Sequence, residues 1–225
     1  MVNLRLVLKI IGQLLFLEAA FMLVCTAMSV CYQEDDSMAF IMSFFITVCG
    51  GMLCKYYGRG AANSLSRRDA YLVVTLTWIV FSLFGMLPFL VGGYIPRVAD
   101  AYFETMSGFT TTGATILDDV ERLPHAVLFW RSLSQWIGGL GIVFFTIAVL
   151  PSLVGGNIKV FAAEATGPVR TKMHPRLSTN SKWIWSIYLF LTVACVLSFW
   201  GAGMDWFDSV NYSMSTTATG GFSTH

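Results

Sequence analysis

Five long apolar stretches constrain the fold of this chain more than any other feature of its sequence. They lie at 6–30, 38–57, 71–94, 125–150 and 183–203. A helix of about 20 apolar residues is long enough to cross the hydrocarbon core of a bilayer. The composition agrees, because 12% of the residues are charged, about half the share in soluble domains. Strand-like alternation is absent, so the sequence predicts an all-α membrane protein.

The basic residues predict how this protein is oriented. Eleven of the 14 Lys and Arg residues lie within 5–9 at the N-terminus, within 55–68 around the connection between the second and third stretches, or within 159–182 between the fourth and fifth. The positive-inside rule makes these segments cytoplasmic and puts the N-terminus inside. The opposite side holds 10 of the 13 acidic residues. A carboxylate-rich outer mouth attracts cations, although simple avoidance of positive charge outside explains the same bias.

Several other functional classes find little support. The 5 cysteines and 3 histidines lack the spacing of a disulfide framework or a zinc site. The net charge of +1 gives no reason to expect nucleic-acid binding. Two ionisable residues, Glu18 and Arg131, fall deep inside apolar stretches, and they do not form a catalytic set. A membrane-embedded enzyme is therefore disfavoured, and no covalently bound cofactor is expected.

The first stretch has two interpretations. Arg5 and Lys9 come before most of its apolar core, as in a secretory signal peptide. Its length, its polar residues Gln13 and Glu18, and the lack of a small-residue cleavage site favour a retained helix. Glu18 itself is interpreted as a hydrogen-bonding partner of a neighbouring helix, with a proton site as the alternative.

Two apolar segments on the outer side are too short to span the membrane. They cover 100–109 and 208–215, and each runs into a Thr/Gly-rich segment, TTTGAT at 110–115 and TTATGGFS at 216–223. Irregular polar backbone at membrane depth is tolerated only where it is buried in protein or lines water. A short helix followed by such a segment is typical of a re-entrant pore loop, although an ordinary external turn is the simpler alternative for one copy alone.

The two segments align as an internal repeat at an offset of 108 residues. This offset pairs Asp100 with Asp208, Thr111 with Thr219, and Gly113 with Gly221. Extended backbone with inward carbonyl groups can replace the water around a cation, and glycine lets several strands approach one axis. Potassium-channel filters use four such loops, and this sequence supplies two.

The motifs MSGFTTTGAT at 106–115, FWRSLSQWIGGLGI at 129–142 and ATGGFST at 218–224 resemble the TrkH/TrkG/KtrB potassium-uptake family. The likeness begins near Tyr71, and the two preceding helices are similar to the N-terminal addition of TrkH. The resemblance implies potassium uptake in a bacterial cytoplasmic membrane through four helix–pore loop–helix repeats. It also implies a homodimer and TrkA-type nucleotide-binding regulatory subunits. The residues that it places at the ion-binding filter are Thr111, Thr112, Gly113, Thr219, Gly220 and Gly221.

The resemblance also predicts a domain organisation. We expect a two-helix addition at 1–68, a first repeat at 69–154, a cytoplasmic connection at 155–181 and an incomplete second repeat at 182–225. The connection is basic, and it is interpreted either as a contact for anionic lipid or a regulatory subunit or as a solvated loop. The sequence favours an N-terminal half of a longer transporter. A non-transporting fragment and a two-repeat subunit that dimerises are the alternatives, and symport and passive conduction both stay open.

Arg131 and three glycines of the fourth stretch have competing interpretations. A charged side chain about two turns into a membrane helix is usually paired. Arg131 is therefore predicted to brace the first Thr/Gly segment through Glu104, with snorkelling to the interface as the alternative. Gly138, Gly139 and Gly141 mark either a hinge or a close helix contact.

Overall fold

The computed structural model describes residues 3–61, 67–154 and 177–225, without the side chains of 67, 70, 142–154 and 177–182. All regular structure in these ranges is helical, as expected. The elements are α1 (Leu4–Tyr32), α2 (Ser37–Tyr57), α3 (Arg67–Gly85), α4 (Leu87–Val91), α5 (Val98–Phe109), α6 (His125–Val154), α7 (Leu177–Gly201) and α8 (Trp206–Thr217). Most of the predicted cytoplasmic connection at 155–181 lies outside the described residues.

Four described segments are long and apolar enough to cross a membrane, and they match four of the five predicted stretches. They are Leu4–Tyr32, Ser37–Tyr57, Tyr71–Val91 and Trp183–Gly201. The remaining stretch, the fourth at 125–150, forms α6, which has 30 residues and is therefore about 45 Å long. The described side chains of α6 end at Gly141.

Capping and a tight connection fold α1 and α2 into an antiparallel hairpin. The side chain of Asn3 accepts a hydrogen bond from the backbone N–H of Leu6 (3.2 Å) at the start of α1. Gln33 ends that helix in the left-handed conformation (φ 57°), which favours a sharp reversal of the chain. Ser29 then donates a hydrogen bond to Asp36, the residue that precedes α2.

The third predicted stretch is not one continuous helix. It was expected to run from 71 to 94, but α3 ends at Gly85 and α4 covers only Leu87–Val91. Pro88 lies in the first turn of α4, where it cannot donate the backbone hydrogen bond that would continue α3. The indole of Trp130 donates to the carbonyl oxygen of Gly85 (2.9 Å) in a buried hydrogen bond and so caps the end of α3.

The two short outer segments form helices of equal length. Each of α5 and α8 has 12 residues, which is about 18 Å and well short of a bilayer core of about 30 Å. The predicted limits of 100–109 and 208–215 were each two residues late at the start. Helix α5 packs between α3 and α6, whereas α8 packs against α6 and α7. Helix α6 therefore touches both short helices.

Aromatic rings build the core between these helices. Phe109, the last residue of α5, contacts Phe81 of α3 (ring centroids 5.4 Å apart) and Trp130 of α6 (6.2 Å). Trp130 in turn meets Phe40 of α2 (6.5 Å). By contrast, large apolar side chains of α7 are exposed, among them Phe190 at 70%. Faces of this kind are expected to contact lipid or other membrane helices.

Candidate functional site

The loops that follow α5 and α8 have the same backbone conformation. We call 110–115 the first loop and 218–223 the second loop. Thr111 (φ 55°) and Gly113 (φ 74°) adopt positive φ in the first loop, and Thr219 (φ 56°) and Gly221 (φ 96°) do so in the second. A β-branched residue rarely adopts this conformation. The recurrence of the same outlier 108 residues apart shows that the two loops are equivalent in backbone structure.

The hydrogen bonds that end the two short helices recur at the same offset. In the first loop the N–H groups of residues 110, 111 and 112 donate to the carbonyl oxygens of 106, 108 and 107. In the second loop the N–H groups of 218, 219 and 220 donate to 214, 216 and 215. All six distances lie between 2.9 and 3.1 Å. Each short helix therefore ends in the same hydrogen-bonded turn.

The two loops touch through backbone atoms. A Cβ atom built on Gly113 would overlap the carbonyl oxygen of Gly220 and would lie 3.6 Å from the Cα of Gly221. An L-residue at Gly113 would also be strained by its positive φ. Glycine is therefore required here both for conformation and for the close approach of the loops.

One face of α6 packs against both loops. Gly138 lies against the carbonyl oxygen of Phe109, so that any side chain there would overlap it. One turn earlier, Gln135 packs against Gly220, and its Oε1 accepts a hydrogen bond from the N–H of Phe222 (3.2 Å). A Cβ on Gly139 would lie 3.1 Å from Ala218. The geometry agrees with the close-packing interpretation of Gly138 and Gly139.

Arg131 and Glu104 form a buried ion pair beside the first loop. The two side chains are 2% and 0% exposed, and Nε of Arg131 lies 2.9 Å from Oε1 of Glu104. The same carboxylate accepts hydrogen bonds from Thr115 Oγ1 (2.9 and 3.0 Å) and from the N–H of Ile116 (3.1 Å). Glu104 is thus enclosed and does not contribute to an exposed acidic mouth.

Arg131 also reaches the second loop. Its Nη1 donates to the carbonyl oxygen of Ser223 (3.1 Å), and its guanidinium carbon lies 4.3 Å from the ring centre of Phe222. Its Nη2 donates to Thr115 Oγ1 (3.2 Å) of the first loop. The snorkelling alternative does not fit these contacts, because the guanidinium group is enclosed between the loops. The sequence pattern suggested a contact with one loop, and the structure has contacts with both.

The six predicted filter residues come together, and further side chains join them that the sequence did not single out. The predicted residues all lie in the two adjoining loops. Gln135 and Thr115 were not predicted as site residues. Gln135 accepts a hydrogen bond from the second loop, and Thr115, within the first loop, donates one to Glu104. Gln135 lies four residues after Arg131 and therefore on the same face of α6. Two polar residues at this spacing in an otherwise apolar helix were the sequence signal that could have identified Gln135.

A second cluster joins three chain segments at the end of the molecule that the sequence predicts to be external. Glu34, just after α1, accepts from the N–H of His125 (2.8 Å) and contacts Nδ1 of that imidazole (2.8 Å). The His125 ring stacks on Tyr32 (4.1 Å) and meets Phe207 of α8 edge-on (4.7 Å). Burial raises the pKa of nearby Asp36, although the hydrogen bond from Ser29 opposes this. The three connections predicted to be external therefore share one end of the molecule.

The described residues contain no group of three or more His, Cys, Asp or Glu side chains that could hold a metal ion. The five cysteines are free thiols.

The comparison with known proteins agrees with this geometry. The family profile described as TrkH, a cation transport protein, matches residues 36–225. This chain belongs to the TrkH family. The Trk system potassium uptake protein TrkH of Vibrio parahaemolyticus is 42% identical over 98% of this chain and 46% of that protein. The corresponding uptake protein TrkG of Escherichia coli is 36% identical over 99% of this chain and 46% of its own length.

The TrkH-family fold is also found in a solved structure. The crystal structure of the potassium transporter TrkH from Vibrio parahaemolyticus matches with a TM-score of 0.84 and 39% identity, over 98% of this chain and 44% of that one. The prediction of an all-α membrane protein of this family is confirmed. The chain spans about half the length of the relatives that it matches. These relatives are named as transporters and not as enzymes, and their substrate is potassium.

Proposed function

We propose that this chain contributes to potassium uptake across a bacterial cytoplasmic membrane, as part of a filter that its two loops help to form. The observation that carries the proposal is the pair of equivalent loops in backbone contact. Two strained turns of the same shape, each after a helix too short to span a bilayer, suit repeated elements around one ion pathway. The names of the TrkH and TrkG relatives support potassium as the substrate.

Six residues in the two loops are proposed to contact the ion. Backbone carbonyl groups and threonine hydroxyl groups are suitable ligands for a dehydrated cation. In the first loop these residues are Thr111, Thr112 and Gly113, and in the second they are Thr219, Gly220 and Gly221. The contact between Gly113 and Gly220 supports a shared role, because it brings the two triplets side by side.

Arg131 and Glu104 are proposed to hold the filter in shape without touching the ion. Arg131 bonds to Glu104 and Thr115 on one side and to the Ser223 carbonyl group on the other. A positive charge beside a cation pathway is tolerated more easily when a carboxylate neutralises it. The pair therefore supports the loops and adds little net charge to the pathway.

Two loops do not enclose an ion, so the proposal includes two more loops of the same kind in the complete transporter. Here α3 to α6 form the first repeat within 69–154, and α7 and α8 belong to the second, within 182–225. The helices of 1–68 are a peripheral addition. The segment 155–181 is a cytoplasmic connection that contacts membrane lipid or a regulatory subunit.

The proposed setting is that of a Trk system. The N-terminus lies in the cytoplasm, the protein forms a homodimer, and TrkA-type nucleotide-binding subunits attach on the cytoplasmic side. Orientation is testable with the exposed Cys31 at the outer end of α1. A membrane-impermeant maleimide should label it in intact spheroplasts and should not label Cys31→Ser at this position. Labelling of Cys31 only after the membrane is opened would show that the protein has the opposite orientation in the membrane.

Growth of a potassium-uptake-deficient bacterium tests transport itself. The complete gene that encodes this chain should restore growth at low potassium, and Gly113→Ser should abolish the rescue. Gly93→Ser is the matched control, because Gly93 has nearly the same φ (73°, against 74° at Gly113) but no atom within 4 Å of a Cβ placed there. It imposes the same backbone strain away from the loops.

Two results would count against the proposal. Failure of the complete gene to restore growth, despite its presence in the membrane, would remove the transport claim and favour a non-transporting membrane fragment. Equal rescue by Gly113→Ser and Gly93→Ser would leave transport intact but would remove the first loop from the filter.

A further inference from the structure

Glu18 lies on α1, outside the proposed filter, and is enclosed by the protein. It is 1% exposed, and neither of its carboxyl oxygens has a hydrogen-bond partner among the described residues. The hydrogen bond to a neighbouring helix that the sequence suggested is therefore not found in this part of the chain. A buried ionised carboxylate is stable in a protein only when it is paired or hydrogen-bonded.

The surroundings of Glu18 are apolar. Leu15 and Met22, one turn before and one turn after it on the buried face of α1, are both fully enclosed. The carboxyl group points to the end of α3. A Cβ placed on Gly85 would lie 3.0 Å from Glu18 Oε1, 2.8 Å from a ring carbon of Phe109 and 2.8 Å from the methyl group of Thr105. The Thr105 hydroxyl is not available to Glu18, since it donates to the Ala101 carbonyl group (2.7 Å).

Charged groups on the elements around α1 have other contacts or lie near helix ends. Lys55 of α2 lies over the Phe16 ring, 5.8 Å from its centre. Asp69 of α3 accepts a hydrogen bond from the N–H of Asn3 (2.8 Å). The other charged side chains that the structure describes on these elements are Arg5 and Lys9 of α1, Arg68 of α3, Asp100 and the Glu104–Arg131 pair, and His125 with Glu34. The neutral titratable side chains are Cys25, Cys31 and Tyr32 of α1, Cys49, Cys54, Tyr56 and Tyr57 of α2, Tyr71 of α3 and Tyr102 of α5. None of them forms a hydrogen bond with Glu18.

We propose that Glu18 is a proton-binding site, occupied when α1 is packed against the end of α3 and the C-terminal part of α5. A neutral carboxylic acid fits a site without a cation or a hydrogen-bond donor, whereas a carboxylate does not. Gly85 makes room for the acid because it has no side chain. The ligand is a single proton, and no other ion is required.

Occupancy of this site affects the first loop through Phe109. That residue contacts the Gly85 position beside Glu18, and its carbonyl oxygen lies against Gly138 of α6 just before the first loop begins. Loss of the proton would leave an unpaired negative charge buried next to Thr105 and Phe109 of α5. We therefore expect deprotonation to loosen the packing of α1 and α5 before it changes the exposed parts of the protein.

Infrared spectroscopy of the purified full-length protein in lipid tests the proposal directly. At neutral pH the wild type should show the C=O stretching band of a protonated carboxylic acid that Glu18→Gln lacks. Glu18→Met, which has no titratable group but a similar size, should lack the same band. Glu121→Gln, which removes an exposed carboxylate (67% exposed), should retain it. The proposal is overturned if Glu18→Gln instead loses bands of an ionised carboxylate.

Thermal unfolding gives a second readout that does not depend on transport. Glu18→Gln resembles the protonated acid, so its melting temperature should equal that of the wild type at about pH 4, where the carboxyl group is protonated in both the folded and the unfolded protein. As the pH rises above the ordinary pKa of a glutamic acid, the wild type should lose about 3–5 °C per pH unit relative to Glu18→Gln, and the loss should stop once Glu18 ionises in the folded protein. A melting temperature of the wild type that stays equal to that of Glu18→Gln from about pH 4 to about pH 8 would show that folding does not favour the protonated form of Glu18 and would overturn the proposal.

Discussion

The two loops share one backbone conformation but are held by different side chains. The first loop is tied to the carboxylate of Glu104, and the residue at the equivalent position beside the second loop is Tyr212. Apart from Arg131, the second loop is held by neutral groups, because Gln135 accepts from Phe222 and Ser215 Oγ accepts from the N–H of Gly221 (2.9 Å). The backbone shape is therefore independent of the kind of side chain that supports it.

Arg131 is the element that the two loops have in common. It makes a charged contact with the support of the first loop and a carbonyl contact with the second. Serine behaves differently in the two copies. Ser215 is hydrogen-bonded to the second loop, whereas Oγ of its counterpart Ser107 has no partner among the described residues. From this comparison we expect a substitution in the Arg131–Glu104 pair to affect both loops. We expect a substitution of an uncharged residue that contacts one loop to affect only that loop.

Arg131→Gln should have the largest effect. It leaves the Glu104 carboxylate buried without its charged partner, and breaking such a pair costs about 3–5 kcal/mol. We expect a large drop in melting temperature and loss of potassium uptake. Arg122→Gln is the control, because the Arg122–Asp119 pair (2.6 Å) is exposed and contributes at most about 1 kcal/mol. Similar melting temperatures for the two variants would show that Arg131 does not join the loops.

Gly113→Ala and Gly221→Ala compare equivalent positions in the two loops. Both residues have positive φ, so alanine costs roughly 1–2 kcal/mol at either one. A Cβ on Gly113 also overlaps Gly220, whereas a Cβ on Gly221 meets no atom within 4 Å. We therefore expect Gly113→Ala to destabilise the protein by about 1–3 kcal/mol more, measured by thermal unfolding. Equal losses would mean that the contact between the loops does not persist in the membrane.

Gln135→Met and Thr115→Val separate the supports of the loops. Gln135→Met keeps the size of the side chain but leaves the N–H of Phe222 unbonded, at a cost of about 1–3 kcal/mol. Thr115→Val removes the hydroxyl group between Glu104 and Arg131, at a similar cost. Uptake of rubidium and sodium relative to potassium is the measurement. The double variant should show close to the sum of the two effects, because Gln135 and Thr115 share no direct contact, and any small coupling should pass through Arg131, which bonds to Thr115 and Ser223.

A strongly non-additive result for that double variant would contradict the comparison. It would show that the two loops respond as one unit. Gln135 and Thr115 would then not have independent effects on ion selectivity. Ser198→Ala is a suitable control for the loss of a hydroxyl group, because Ser198 bonds only to a carbonyl group of its own helix (Ala194, 2.8 Å) and is exposed.

Features that depend on local sequence were predictable. Apolar length identified the spanning helices, and the short segments before the Thr/Gly motifs identified α5 and α8. The offset of 108 paired Thr111 with Thr219, and these two residues adopt φ angles of 55° and 56°. Such features follow from hydropathy and from the conformational preferences of a few residues.

Features that depend on tertiary contact were not predictable from one sequence. Arg131 bonds to a carbonyl group 92 positions away, and Gln135 to an N–H group 87 positions away. Glu18 was expected to find a hydrogen-bond partner, and none is present in the described part of the chain. The break after Gly85 had a signal in Pro88, but its position depends on the cap that Trp130 supplies.

His225 gives the smallest expected effect, and it is specific to the second loop. Asp208 accepts from Thr224 Oγ1 (2.8 Å) and contacts Nε2 of His225 (3.0 Å). The equivalents of Thr224 and His225 beside the first loop are Ile116 and Leu117, whose side chains cannot donate hydrogen bonds. The hydrogen bond to Asp208 raises the pKa of His225 above 6.5. The protonated form is therefore favoured in the folded protein.

The resulting pH dependence has a definite sign. The stabilisation is fully present below about pH 6.5, the unfolded value, and is lost as the pH rises through the higher folded pKa. Because the imidazole is 62% exposed, the change in melting temperature should be small. His225→Gln should remove it, whereas Arg122→Gln should not. A pH dependence that persists in His225→Gln would assign the titration to another group and would remove this difference between the loops.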